Sequence, residues 1–173
     1  MNHLKIRNAR ESDRDAIQVV TLSAYEQYAP TMNSAWEFYR ANILETLADV
    51  KPAEQIVAET DAGIVGTVLL YPAANELHAP GESSFVLPAP EIRLLAVKPS
   101  ARGQGIATAL MQECLRRARQ SGAKSITLHT TDMMQVAMRM YERMGFVREP
   151  SLYFSPGDDY LIKGYRFDLN DRP

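Results

Sequence analysis

The hydrophobic positions of this chain change period several times, and each change marks an element. Leu4-Lys5-Ile6-Arg7 alternates and predicts a short opening strand. Ala16, Ile17, Val20 and Ala24 then recur at helical spacing and predict a helix from Ser12 to Tyr28. Ser12 is its expected N-cap, and Pro30 its expected stop. Ser34-Ala35-Trp36-Glu37 fits a capping box and opens a second helix. That helix carries Trp36, Tyr39, Ile43, Leu47 and Val50 on one face and ends before Pro52. Gln55 to Thr60 and Ile64 to Tyr71 are strand-like and flank Asp61-Ala62-Gly63, a hairpin pattern. Pro72 to Pro90 holds four prolines around Gly81-Glu82-Ser83-Ser84 and predicts a long loop without regular pairing.

An apolar run from Ile92 to Val97 predicts a buried strand, and Ile106, Leu110, Cys114 and Ala118 a helix closed by Gly122. Ser125 to Thr130 reads as another strand. Val136, Ala137, Met140, Tyr141 and Met144 describe a last helix, capped by Gly145 with Phe146 as its apolar contact. Phe146-Val147 and Gly164 to Leu169 read as closing strands around a polar loop with Asp158 and Asp159. The predicted order is β-α-α-β-β-β-α-β-α-β-β. It describes a single α/β domain over residues 1–173, a mixed sheet with helices on both faces.

The chemistry concentrates between Glu91 and Leu110, where strand, glycine turn and helix start follow one another. The first N–H groups of a helix have no intrahelical partner, and the helix dipole favours an anion there. Gly103 and Gly105 carry no Cβ, so a ligand can reach the backbone. Arg102-Gly103-Gln104-Gly105-Ile106-Ala107-Thr108 is therefore a candidate pyrophosphate turn. A P-loop requires Gly-Lys-Ser/Thr, which is absent. A dinucleotide fingerprint requires a third small residue where Thr108 stands.

Bulk properties narrow the choice. With 173 residues, 46% of them hydrophobic, the chain can bury a sizeable core. A net charge of −2 argues against a nucleic-acid surface. One cysteine, Cys114, and three histidines without ligand spacing argue against a metal site. No signal-like or membrane-spanning run is present, so a cytoplasmic location without membrane attachment is the expectation.

Arg102-x-x-Gly105-x-Ala107, after Leu94-Leu95-Ala96-Val97-x-Pro99, resembles the acyl-CoA-binding motif of the GCN5-related N-acetyltransferases, the GNAT family. Ala137-x-x-x-Tyr141-x-x-x-Gly145-Phe146 is similar to that family's later helix segment. The predicted element order is also that of the GNAT fold, with its mixed, mostly antiparallel sheet. The resemblance implies acetyl-CoA as co-substrate, with an acetyl group passing to a primary amine of a small molecule or peptide by direct attack in a ternary complex. It implies that the fourth strand is bulged and splays from the fifth, and that the backbone of Leu95, Ala96 and Val97 pairs with the pantetheine arm in the gap. Residues Arg102 to Thr108 would wrap the pyrophosphate. Tyr141 would be the general acid at the sulfur and Glu91 the general base, its pKa raised by an apolar setting. His129 reads as a packed or hydrogen-bonded strand residue, and the aromatics Tyr25, Tyr28, Trp36 and Tyr39 as core or acceptor-pocket lining. The family often places Asn where Met134 stands, which removes one polar contact to the cofactor. Two alternatives remain open: a non-catalytic acyl-CoA-binding regulator, and a Rossmann-type oxidoreductase using Gly103-x-Gly105 with Asp132 on the ribose. Homodimerisation, frequent in the family, is not legible in this sequence.

Overall fold

The structure is a computed structural model that describes residues 3–73, 76–77, 85–155 and 161–170. Its elements are β1 (Lys5–Asn8), α1 (Arg14–Tyr25), α2 (Ala29–Met32), α3 (Ala35–Ala48), β2 (Glu54–Thr60), β3 (Gly63–Tyr71), β4 (Glu76–Leu77), β5 (Phe85–Val86), β6 (Glu91–Val97), α4 (Ile106–Gln120), β7 (Ser125–Thr130), α5 (Gln135–Arg143), β8 (Val147–Arg148) and β9 (Lys163–Asp168). The predicted order is present, with the short α2 and the β4–β5 pair added. The loop Asp158-Asp159 and residues 74–75 and 78–84 of the Pro72–Pro90 segment lie outside the described residues.

The chain divides into two compact units, one of residues 1–70 and 94–114, the other of residues 71–93 and 115–173. In the first, β1 pairs antiparallel with β2 and β2 with β3. The β2–β3 turn needs a left-handed residue, which Gly63 supplies at φ 102°. Strand β3 is buried from Val65 to Tyr71, which explains its unbroken apolar run. The amide of Lys98, just past β6, donates to the carbonyl of Val65 at 2.8 Å. A Cβ on Gly66 would lie 2.9 Å from Ile106 and 3.1 Å from Leu110, so this glycine lets the start of α4 lie close on β3.

In the second unit, β6 pairs parallel with β7 (Glu91 opposite Thr127, Ile92 opposite Leu128), and β9 pairs antiparallel with both β7 and β8. The first unit carries the strand order β1-β2-β3 and the second β6-β7-β9-β8, and of the pairs described above β6–β7 is the parallel one. The buried side chains of this unit include Ile126, Leu128, Phe146 and Tyr165. Two glycines end helices as expected. Gly122 at φ 80° follows α4 and Gly145 at φ 97° follows α5, each with paired backbone bonds back into the last turn.

Several local expectations are corrected. Ser12 sits inside a single 3-10 turn (Glu11–Asp13), and Asp13 takes the position before α1. Pro30 does not end the helical stretch. It falls in the first turn of α2, where its missing N–H goes unneeded. Ser34 makes no side-chain cap, so the capping box is absent, and of the predicted face of α3 only Ile43 is fully buried. The proline-rich segment does admit pairing, with Glu76 opposite Val86 and Leu77 opposite Phe85. In α5 the buried residues are Met138 and Tyr141, while Val136 is exposed. Among the described residues no helix is long and apolar enough to cross a membrane.

One ion-pair cluster ties the first unit together. Arg7 on β1 reaches Asp13 at 2.6 Å and Glu59 on β2 at 2.7 Å, with only 9% of the Arg7 side chain exposed. The Arg7 hydrogen bond holds the Asp13 carboxyl below its ordinary range, against the opposite push of burial. A depressed carboxyl pKa stabilises above the unfolded value and loses that contribution as pH falls through the folded one. Arg7→Ala is expected to lower unfolding free energy at pH 7 by about 2 kcal/mol, between the values for exposed and fully buried pairs. Urea titrations should find the gap between variant and wild type closing below about pH 4. An equal gap at low pH would place the loss elsewhere.

Candidate functional site

The first unit holds the glycine turn. After β6 a 3-10 turn (Pro99–Ala101) leads to Arg102, Gly103, Gln104 and Gly105, all exposed, and α4 begins at Ile106. Gly103 lies at φ 75° and Gly105 at φ 77°, a backbone region that disfavours side chains. A Cβ on either would meet no protein atom within 4 Å, so the space over the turn is open. The first described bond of the helix runs from the Ala109 amide to the Gly105 carbonyl at 3.0 Å. The amides of Ile106, Ala107 and Thr108 precede it at the positive end of the helix dipole. These residues fit an anionic group such as a pyrophosphate.

The side chain of Arg102 does other work. Its guanidinium donates to the Ala24 carbonyl at 3.1 Å and to Gln27 at 3.2 Å, at the C-terminal end of α1. A cation there suits the helix dipole and ties the turn to α1. Beside it, burial pushes the Tyr28 phenol up, against the pull of Arg102. The hydroxyl of Tyr25 donates to the Leu95 carbonyl at 3.4 Å. Tyr25 also packs against Tyr28 (6.1 Å) and Tyr39 (6.0 Å), and Tyr39 against Trp36 (6.3 Å). The four aromatics therefore form one cluster that reaches β6 at Leu95.

Strand β6 is irregular at its centre. Leu94 takes φ 48°, which a non-glycine residue adopts at a cost of about 1–2 kcal/mol. The kink separates Glu91 and Ile92, which register with β7, from Leu95, Ala96 and Val97.

The second unit holds Glu91 and Tyr141. Glu91 is 1% exposed. Its two oxygens take different partners: Arg93 Nε lies 2.5 Å from Oε1, and His129 Nδ1 lies 3.3 Å from Oε2. The other nitrogen of His129 faces the Leu152 carbonyl at 3.0 Å. Both ring nitrogens thus face acceptors. Burial pushes the Glu91 carboxyl up, but the His129 hydrogen bond and the charge of Arg93 outweigh it, leaving the pKa below the usual glutamate range. The expectation of a raised pKa is corrected for that reason.

Tyr141 is 7% exposed on α5, its ring 6.0 Å from Phe146 and 6.2 Å from Tyr165. The Tyr165 hydroxyl donates to Glu142 at 2.9 Å and accepts from Arg148 at 3.2 Å, which fixes the helix against β9. Alternate strand residues face opposite sides. Glu91 registers with Thr127, and Tyr165 with Leu128, so Glu91 and the Tyr141 ring lie on opposite faces of this unit's strands. Met134 stands at the N-cap of α5. Among the described residues no three His, Cys, Asp or Glu side chains gather as a metal site would require.

Comparison with known proteins decides the family. Residues 21–146 match the model of the acetyltransferase (GNAT) family. The chain belongs to it. GNAT membership sets aside the dinucleotide oxidoreductase reading of Gly103-x-Gly105. Over 62 residues (36% of this chain and 41% of the relative) it is 45% identical to N-alpha-acetyltransferase 30 of Schizosaccharomyces pombe. The chain spans about half or less of the length of the curated relatives of this GNAT protein. A GNAT acetyltransferase of Staphylococcus aureus shares the fold at TM-score 0.69 and 17% identity, covering 97% of this chain and all of that one. One from Brucella melitensis, solved with acetyl-CoA, does so at TM-score 0.57 and 22% identity, covering 94% and 88%.

Sequence reading missed Arg93 and Gly66, each set inside an apolar strand pattern. The irregularity at Leu94 falls in the strand for which the family resemblance implied a bulge.

Proposed function

We propose that this protein is an acetyl-CoA-dependent N-acetyltransferase, one domain over residues 1–173, acting on a primary amine of a small molecule or peptide. The observation that carries the reading is the open turn with two left-handed glycines at the head of α4, in a chain of this family. The amides from Arg102 to Thr108 would hold the pyrophosphate, and the backbone of Leu95, Ala96 and Val97 the pantetheine arm. The kink at Leu94 supports this, since it interrupts the regular strand just before those residues.

In the transfer the amine nitrogen attacks the thioester carbonyl carbon. The C–N bond forms, the C–S bond breaks, and the sulfur leaves with the electron pair. Tyr141 gives the departing sulfur its proton and is reprotonated from solvent. Glu91, on the strand face opposite the Tyr141 ring, takes the proton of the attacking amine through an intervening water. With its pKa depressed, it is ionised throughout the neutral range, so an acidic limb near or above neutrality would report the acceptor ammonium.

The test is thiol release from acetyl-CoA over a panel of amines, as a function of pH. Turnover with at least one amine is expected. Glu91→Gln is expected to lower kcat/KM about 100-fold without moving the acidic limb. Acetyl-CoA binding with no turnover on any amine would favour a non-catalytic regulator. An undiminished rate in Glu91→Gln would remove Glu91 as the base.

A further inference from the structure

Arg93 is more exposed and less used than its partners explain. Its side chain is 36% exposed, although Glu91 beside it is buried. It meets Glu91 through Nε alone, at 2.5 Å. Its guanidinium carbon sits over the Tyr71 ring, 5.4 Å from the centroid. These two contacts fix the group from its edge and its face. The two terminal nitrogens have no hydrogen-bond partner among the described residues.

An arginine serving only as counter-ion to a buried carboxylate gains most from a two-nitrogen, fork-to-fork pair. Here the fork is held back. Only Nε is hydrogen-bonded to Glu91, so the terminal pair takes no part in that contact. Stacking on Tyr71 holds the planar group in place, so little rotamer freedom remains to be lost on binding. His129 supplies a second partner to Glu91, so the buried carboxylate does not depend on Arg93 alone.

We propose that the terminal nitrogens of Arg93 receive the carboxylate of the acceptor, and that the acceptors are amines bearing a carboxylate, as α-amino acids and their conjugates do. This rests on the reading that Glu91 serves the acceptor amine. Glu91 and Arg93 are alternate residues of one strand, joined by a hydrogen bond. They put a negative and a positive group next to each other along the strand, Glu91 buried and Arg93 partly exposed, in the order of the positive amine and negative carboxylate of an amino acid. Phe154, 42% exposed and 5.4 Å from the His129 ring, offers an apolar surface in the same unit for a side chain.

The test compares matched acceptors that differ only in this group: phenylalanine, methionine and glutamate, each against its own α-carboxamide. A bidentate, charge-assisted contact is expected to favour the carboxylate form by roughly 10- to 100-fold in kcat/KM. Arg93→Lys keeps a cation beside Glu91 and removes the fork. It is expected to bring the ratio within about threefold, an expectation grounded in the weaker geometry of a point charge. The ratio is taken within one variant, so a general loss of folding or activity cancels. Equal use of both forms by the wild type, or a ratio unchanged in Arg93→Lys, overturns the proposal. In parallel, calorimetry with N-acetylphenylalanine and its amide reads the same preference without turnover. If no amine is acetylated yet the carboxylate form binds better and loses that advantage in Arg93→Lys, the acetyl-transfer reading fails while the carboxylate site stands. No preference in calorimetry overturns the site.

Discussion

Tyr141→Phe is expected to lower kcat about 100-fold or more, the usual contribution of a positioned general acid, with the dissociation constant of acetyl-CoA within about twofold of wild type. The substitution removes one oxygen and leaves the ring. That ring is 7% exposed and packed between Phe146 and Tyr165, so phenylalanine keeps the aromatic contacts that hold α5. Stability should therefore change little, and the lost rate would belong to the hydroxyl. An alanine variant would mix the same loss with a cavity, which typically destabilises by about 3–5 kcal/mol. Single-turnover kinetics gives the chemical step and calorimetry the binding. A kcat unchanged in Tyr141→Phe leaves the residue a core aromatic with no part in the reaction.

What the sequence made legible was local. The turn at Gly103 and Gly105, the hairpin glycine at Gly63 and the caps at Gly122 and Gly145 all rest on one residue's backbone freedom, and all take positive φ. The capping box at Ser34 failed because Ser34 already has helical backbone (φ −63°, ψ −22°), whereas a capping side chain needs an extended one. Here the chain arrives from α2 through Asn33, already at φ 49°. Pro30 misled because proline ends a helix from inside but begins one without penalty. The Glu91 cluster was illegible for another reason. His129 reaches Glu91 only because β6 and β7 run parallel in one register, and that register is a tertiary fact. A buried carboxylate invites the expectation of a raised pKa. A hydrogen bond from His129 and the charge of Arg93 reverse it.

The glycine turn allows a test that separates binding from folding. Gly105 and Gly122 both lie in the left-handed region, at φ 77° and 80°, and a Cβ on either would meet no atom within 4 Å. Alanine at each position should lower unfolding free energy by the same strain, about 1–2 kcal/mol. Their surroundings differ in function only. Gly105 precedes the first amides of α4, whereas Gly122 follows its last turn. A methyl group at Gly105 would fill the space proposed for the pyrophosphate and keep it from the backbone N–H groups. Gly105→Ala is thus expected to weaken acetyl-CoA binding at least tenfold, or about 1.4 kcal/mol, and Gly122→Ala to leave it within about twofold. Calorimetric titration with CoA, beside thermal unfolding of both variants, checks the pair. Equal losses of affinity would trace the effect to stability. No loss in Gly105→Ala would move the pyrophosphate away from this turn.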